Sequence, residues 1–380
     1  MTRNNIKIGI IGTGFMAKAH INAYKTMSYI GFEKYQFDPV LEMIAGSSEE
    51  KALRAAEKYG VKSATGDWKN LVESPSIDVV DNVSPDRLHC EPCILAAQNG
   101  KHICCEKPIA TSVVNARRMV KAVKESGVKN IIGFNYRFFP AVRLAYELIK
   151  SGRIGDVYHF TGKYYQDHGT DPETCPEDIW YIGWSGVGQG IGTHLIDMSR
   201  FLVGEVASVR GMVKTYNTER KNKNSERVSC TSDEGFFALV NFENGATGVY
   251  ESLGIAAGEK NHFSFEIFGT KGGLKWDLNY PNDLYFAETS SGSGFDGYKK
   301  INVTEESHPL TDIWWPKGHV LGWEHGHINL LAHFMNCIEN DLSVGPFGAT
   351  FEDGLCVAEI IEAICRSSEN GLIENVIHEC

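Results

Sequence analysis

Short apolar, β-branched runs alternate with longer helical patterns through the first 135 residues. The runs are IKIGII (6–11), LEMIAG (41–46), DVVDNV (78–83), HICCE (102–106) and NIIGFN (130–135). Between them lie MAKAHINAYKTM, SEEKALRAAEKYG, LHCEPCILAAQNG and VVNARRMVKAVKESG. Several of these end on Gly with a Lys nearby, as helix C-termini do. Strand and helix in strict alternation predict a parallel sheet with helices on both faces. The segment SYIGFEKYQFDPV (28–40) is extra length between the first helix and the second strand.

The rhythm changes after residue 136. A helix, PAVRLAYELIKSG, leads into a strand, DVYHFTGKYYQ, and then into a loop rich in Gly, Pro and Trp. From about 205 to 303 strand patterns dominate: VASVRGMVKTY, EGFFALVNF, GATGVYESL, HFSFEIFG and GGLKWDL. NFENGATG reads as a hairpin, because Asn-Gly supplies the positive backbone angles of a tight turn. Strands joined by turn-length links predict a large, open, mostly antiparallel sheet. The tail, from GHINLLAHFMNCI to AEIIEAICRSS, is helical again. The expectation is an α/β protein with one domain over 1–135 and a second, α+β domain over 136–380.

Composition narrows the chemistry. A chain of 380 residues exceeds what one hydrophobic core usually serves, which agrees with two domains. With 37 Lys and Arg against 48 Asp and Glu the net charge is -11, which disfavours a nucleic-acid partner. No stretch has the length and apolarity of a membrane span, and the N-terminal apolar run is too short for a signal peptide, so a cytoplasmic protein is expected. The ten cysteines are then reduced thiols rather than a disulfide framework. Cys90 and Cys93 fit a packed helix face, and His325 and His327 lack a third ligand nearby, so no metal is expected. The run KTYNTERKNKNSER (214–227) reads as a solvated strand edge.

Two stretches carry chemistry. IKIGIIGTGFMAKAH is strand, Gly-rich turn and helix: Gly12 permits the tight turn, Gly14 lets the backbone approach a pyrophosphate, and the helix N-terminus supplies N–H groups. At the end of the second strand Ser47 and Ser48 accept a ribose 2′-phosphate more readily than a carboxylate would, whereas Glu49 and Glu50 repel it. NAD against NADP stays open on these residues. CCEKPIA (104–110) then ends the fourth strand beside that pocket. Lys107 carries an ammonium to where a nicotinamide and a substrate would meet, Glu106 accepts hydrogen bonds there, and Pro108 stops the strand.

In this order GTGFMAKAH, NVSPDRLH, GKHICCEKPIA, FNYRFFPAV, YYQDH, GTHLIDMSRFLVG and FEDGL resemble the Gfo/Idh/MocA family, across residues 6 to 370. YYQDH and the segment 28–40 are most similar to the branch that includes levoglucosan and glucoside 3-dehydrogenases. The resemblance implies an N-terminal Rossmann domain, a nicotinamide cofactor, and hydride transfer from a ring carbon of a sugar, glycoside or cyclitol. It implies cofactor contacts from Gly12, Thr13, Gly14, Phe15, Met16, Ser47, Ser48, Ser84, Pro85, His89, Glu106 and Lys107. Lys107 and His194 would be catalytic; Tyr136, Gln166, His168 and His194 would line the sugar pocket, with Trp323, Glu324 and His325 at its rim. Trp180, Trp184, Trp314 and Trp315 are further candidates for stacking on a sugar. The resemblance also implies a homodimer or homotetramer. Two departures stand out: Asp86 replaces the commonest Asn, and Gly190 stands where family dehydrogenases usually carry an Asp, four residues before the histidine. Gly190 keeps two rivals in view, an enzyme that retains its cofactor through the cycle and a non-catalytic sensor.

Overall fold

The computed structural model describes residues 4–30, 36–173, 186, 190–222, 224–289, 294 and 296–378. The chain forms two compact units, Met1–Phe138 with Gly322–Leu355, and Phe139–Leu321 with Cys356–Cys380. Residues 322–355 therefore group with the N-terminal unit, whereas the sequence reading placed everything after 136 in the second domain. The cause is the helix Trp323–Glu339, which buries Ile328, Leu331, Phe334 and Met335. It packs along the first helix of the N-terminal unit. Asn329 Nδ2 also donates to the Phe138 carbonyl at 3.1 Å, and the Ile132 N–H donates to Ala349 O at 2.8 Å.

The first unit holds a six-stranded, all-parallel sheet. Its strands are β1 (Asn4–Ile11), β2 (Phe37–Ala45), β3 (Ser63–Thr65), β4 (Val79–Asn82), β5 (His102–Cys105) and β6 (Asn130–Ile132), in the order β3-β2-β1-β4-β5-β6. Ile8, Ile10, Val79, Val80, Ile103 and Ile131 are fully buried, because a parallel sheet is covered on both faces and its strands read as continuous apolar runs. The helices α1 (Phe15–Tyr29), α2 (Glu49–Tyr59), α3 (Trp68–Val72), α4 (Cys90–Gln98) and α5 (Val113–Ser126) connect them. Local signals set their ends: Ser48 and Ser112 cap α2 and α5, which stop at Gly60 and Gly127 with φ +65 and +69. Strand order reverses between β1 and β4, and that switch point is where open α/β sheets collect ligands.

The second unit carries a nine-stranded sheet. β7 (Val157–Tyr165) lies in its middle, followed in the chain by β8 (Val206–Lys214), β11 (Gly235–Phe242), β12 (Thr247–Leu253), β13 (His262–Gly269), β14 (Gly272–Asp277), β15 (Asp283–Glu288), β16 (Lys299–Asn302) and β17 (Glu374–Asn375). The order is β16-β15-β14-β13-β7-β12-β11-β8-β17, antiparallel throughout except for β12 beside β7. The β11–β12 hairpin turns at Gly245, φ +86, as Asn-Gly predicts. β9 (Glu219–Lys221) and β10 (Arg227–Ser229) form a separate two-stranded antiparallel sheet. The helices α6 (Pro140–Lys150) and Gly192–Leu202 pack on the large sheet. Tyr158, Met212 and Leu239, from β7, β8 and β11, stay exposed.

Candidate active site

The Gly-rich turn sits at the C-terminal end of β1. Gly12 has φ +120, and a Cβ there would lie 2.8 Å from Val83 O, so only glycine fits. Gly14 is the N-cap of α1, and a Cβ on it would meet no atom within 4 Å. The first turn of α1 holds no acidic side chain. Open space in front of a helix N-terminus free of negative charge fits a pyrophosphate. Thr13 and Met16 are half-buried and Phe15 is exposed. At the end of β2, Ser48 Oγ accepts the Lys51 N–H at 3.3 Å, and Lys51 Nζ donates to Ser47 Oγ at 3.2 Å. Of the loop after β4, Ser84 is buried against Asn82 Oδ1 at 2.6 Å and Pro85 is exposed. His89 is buried, its Nδ1 2.7 Å from Pro108 O and its Nε2 2.9 Å from Ser84 O. The imidazole expected at the cofactor is thus a tie between the loops that follow β4 and β5.

Beyond β5 the charged triplet resolves into a network. Glu106 is buried while Lys107 is half-buried. Glu106 Oε1 lies 3.2 Å from His20 Nε2, and its Oε2 accepts the Lys107 backbone N–H at 3.2 Å. Gly133 makes room for the carboxylate, since a Cβ there would stand 2.3 Å from Glu106 Oε1. On the other side, His20 Nδ1 lies 2.8 Å from Asp81 Oδ2, which also accepts the Tyr24 hydroxyl at 3.0 Å. Burial acts against the His20 cation, yet Asp81 and Glu106 outweigh it and raise its pKa. Burial would likewise push the Glu106 carboxyl up; the hydrogen bond and charge of His20 prevail and hold it at about 2. Burial lowers the Lys107 pKa against the pull of Glu106 and Asp86, the direction a proton acceptor needs.

His327 completes this region from the helix Trp323–Glu339. It is 2 % exposed, with neither ring nitrogen hydrogen-bonded, and its ring meets Trp323 edge-on at 4.4 Å. Phe15 stacks on Trp323 at 5.5 Å. Burial and the neighbouring His20 cation push the His327 pKa down to about 3. Between pH 3 and its ordinary value the unfolded chain binds a proton that the folded chain refuses, so stability falls as pH drops through that window. His327→Phe should therefore flatten the acid limb of stability against pH, by up to about 1.4 kcal/mol per pH unit. Urea unfolding between pH 4 and 7 checks this.

His20, Glu106 and His327 place ligand atoms within 4.8 Å of one another. His20 is already hydrogen-bonded at both nitrogens, so no metal is assigned there. His325 Nδ1 accepts the Gly322 N–H at 3.0 Å and caps its helix, which separates it from His327 in role.

The second unit gathers its own candidates. His194 is 7 % exposed on the helix Gly192–Leu202, its ring 5.9 Å from that of Tyr164. Tyr164 Oη donates to Asn261 Oδ1 at 2.8 Å, and Gln166 Nε2 donates to the same oxygen at 2.7 Å. Asn261 thus draws Gln166 and His194 together through Tyr164; neither Tyr164 nor Asn261 was singled out by sequence. His168 is exposed on the loop after β7. Tyr136 is buried in a short 3-10 turn of the first unit. Gly190 is buried just before the histidine helix, and Asp197, one turn past His194, is buried too. Trp314 is half-buried and Trp315 half exposed, while Trp180 and Trp184 lie outside the described residues. The described cysteines are all free thiols. Among the described residues no helix is long and apolar enough to cross a membrane.

A glycine turn opening onto a helix N-terminus at the switch point, with a desolvated lysine two strands away, defines a nicotinamide-dinucleotide oxidoreductase. Residues 6–134 match the oxidoreductase family model with NAD-binding Rossmann fold, and residues 142–275 match the GFO/IDH/MocA C-terminal domain. Levoglucosan dehydrogenase of Pseudarthrobacter phenanthrenivorans is 35% identical over 96% of each chain. D-glucoside 3-dehydrogenase of Escherichia coli is 26% identical over 98% of this chain and 97% of its own. A solved levoglucosan dehydrogenase in complex with NADH and levoglucosan superposes with TM-score 0.93 at 34% identity, covering 99% of this chain and 100% of that one. The chain belongs to the Gfo/Idh/MocA oxidoreductase family, as its motifs implied, and is an NAD(P)-dependent oxidoreductase acting on a CH–OH group.

Proposed function

We propose that the protein oxidises a ring hydroxyl of an anhydrosugar or glycoside, Lys107 and His194 handling the hydroxyl proton. The observation that carries this is Lys107, desolvated at the end of β5 beside the sheet's switch point. The bound dinucleotide supplies a two-electron acceptor at its nicotinamide. Gly12, Thr13, Gly14, Phe15 and Met16 would hold it, while Ser47 and Lys51 would meet its ribose. Lys107 accepts the proton as the carbon is oxidised, and the His194 imidazole orients the hydroxyl or passes the proton on. Gln166 and His168 of the second unit and Tyr136 of the first would fix the sugar. Levoglucosan dehydrogenase, 35% identical over 96% of the chain, supports an anhydrosugar first, while D-glucoside 3-dehydrogenase and inositol 2-dehydrogenase, each 26% identical, keep a glycoside or a cyclitol within the class.

The same reading places the enzyme in the cytoplasm as a homodimer or homotetramer. Tyr158, Met212 and Leu239 on the open sheet are the surface for self-association. Sedimentation equilibrium checks it: a monomer at micromolar concentration contradicts it.

The activity is tested by reduced-nicotinamide absorbance with NAD or NADP and a panel of levoglucosan, glucose, alkyl glucosides, L-sorbose and myo-inositol. Turnover with an anhydrosugar or glucoside is expected. Silence across the panel, with cofactor binding intact, contradicts it. Gly190 favours one second reading, a cofactor that stays bound between half-reactions; release of stoichiometric nicotinamide on denaturing the purified protein would support that instead.

A further inference from the structure

We infer that His20 is a positioning residue for the proton-transfer corner: clamped between Asp81 and Glu106, its ring keeps the Glu106 carboxylate occupied from the sheet side, so that the charge beside Lys107 is already offset. The inference rests on the proposed role of Lys107.

Four observations meet here. His20, Asp81 and Glu106 are 0, 0 and 5 % exposed, so no solvent screens them. His20 reaches both carboxylates, Nδ1 to Asp81 at 2.8 Å and Nε2 to Glu106 at 3.2 Å, and an imidazole can donate from both nitrogens only as a cation. Glu106 is fixed at its other oxygen by the Lys107 N–H and is packed over Gly133, where any side chain would collide with it. Each member comes from a different element, α1, β4 and the end of β5, so the arrangement is tertiary rather than a local hydrogen-bonded turn.

The consequence lies in Lys107. A lysine paired with a bare buried glutamate keeps its proton, because the Coulombic pull of an unscreened carboxylate is strong. A proton acceptor must release that proton readily. The groups around His20 are Asp81, Glu106, Tyr24, Cys104 and His327; those around Lys107 are Glu106, Asp86 and His327. The His20 ring stands within ion-pair reach of the Glu106 carboxylate, Nε2 to Oε1 at 3.2 Å. The second carboxylate, Asp81, holds the imidazole in its charged state and fixes its plane, much as a carboxylate orients a catalytic histidine from behind.

The test is a double-mutant cycle on kcat with His20→Gln, Glu106→Gln and the double variant, NADH affinity being followed by nicotinamide fluorescence. His20→Gln, which leaves the carboxylate bare, should lower kcat about tenfold or more, and Glu106→Gln, which removes the charge that His20 offsets, should lower it less, with KM for the sugar and NADH affinity changed less than kcat. The double variant should lose no more than the worse single variant, since His20 acts through Glu106. Multiplying losses, or full kcat in His20→Gln, overturn the inference. A Lys107→Met control separates the layers. If it retains turnover, the Lys107 reading itself falls; if it is inactive while His20→Gln is fully active, only the present inference falls. Should His20→Gln not fold, nitrogen NMR of the unaltered protein decides. Both His20 ring nitrogens protonated at assay pH is the expected result, and one bare nitrogen contradicts it.

Discussion

Replacing Lys107 by Met is expected to lower kcat by about two orders of magnitude or more, while NADH still binds. The reasoning is geometric before it is electrostatic. The sheet ends β5 at Cys105, the buried Glu106 is tied back to His20 and to the Lys107 backbone, and the lysine follows at the sheet's C-terminal edge, one strand beyond β4, where the order reverses against β1. Burial holds its pKa below that of a solvated lysine, the direction a proton acceptor needs. Arg in its place keeps the charge but cannot accept a proton, so Lys107→Arg should be no better than Lys107→Met. Steady-state kinetics on the preferred sugar, alongside an NADH fluorescence titration, check both. Turnover within about threefold of the unaltered enzyme in either variant contradicts the assignment.

Arg220→Met is expected to destabilise the second unit by about 3–5 kcal/mol. Arg220 is 1 % exposed and pairs with Glu234, itself fully buried. Glu234 also accepts the backbone N–H groups of Tyr216 at 2.7 Å and Asn217 at 2.8 Å. Removing the guanidinium strands a carboxylate where water cannot reach it, and the cost of that unpaired charge exceeds what the pair itself contributes. Arg220 Nη2 further donates to Gly169 O at 2.6 Å, in the loop that carries Gln166 and His168. KM for the sugar should rise with the loss of stability, and Arg220→Met/Glu234→Gln should recover part of the stability because the stranded charge is gone. Urea unfolding gives the first quantity and steady-state kinetics the second; unchanged unfolding in the single variant contradicts the account.

Arg220 also shows where sequence reading stops. It lies in the basic run 214–227, which by composition is a solvated edge, yet the β9–β10 excursion turns this one side chain inward. Nothing in the spacing of Lys and Arg marks which one finds a buried partner. By contrast the parallel sheet was legible from apolar runs, the Gly-rich turn from residue type, and the hairpin at Gly245 from Asn-Gly, because each is a local demand of backbone or burial. β3, three residues long at a sheet edge, has no apolar run to announce it. The return of the helix Trp323–Glu339 to the first unit was hidden because its apolar face would fit either core. His20 stood in plain view on α1 as one polar position in a helical pattern. Its meaning needed Asp81 and Glu106, which are 61 and 86 residues away in sequence.

The central claim is that a hydride passes from a sugar ring carbon to the nicotinamide. The direct measurement is a single turnover with levoglucosan deuterated at its ring carbons, followed by mass analysis of the cofactor. Reduced cofactor carrying one deuterium, formed more slowly than with unlabelled sugar, is the predicted result. Reduced cofactor without deuterium, or sugar converted with no reduced cofactor at any stage, would contradict the account.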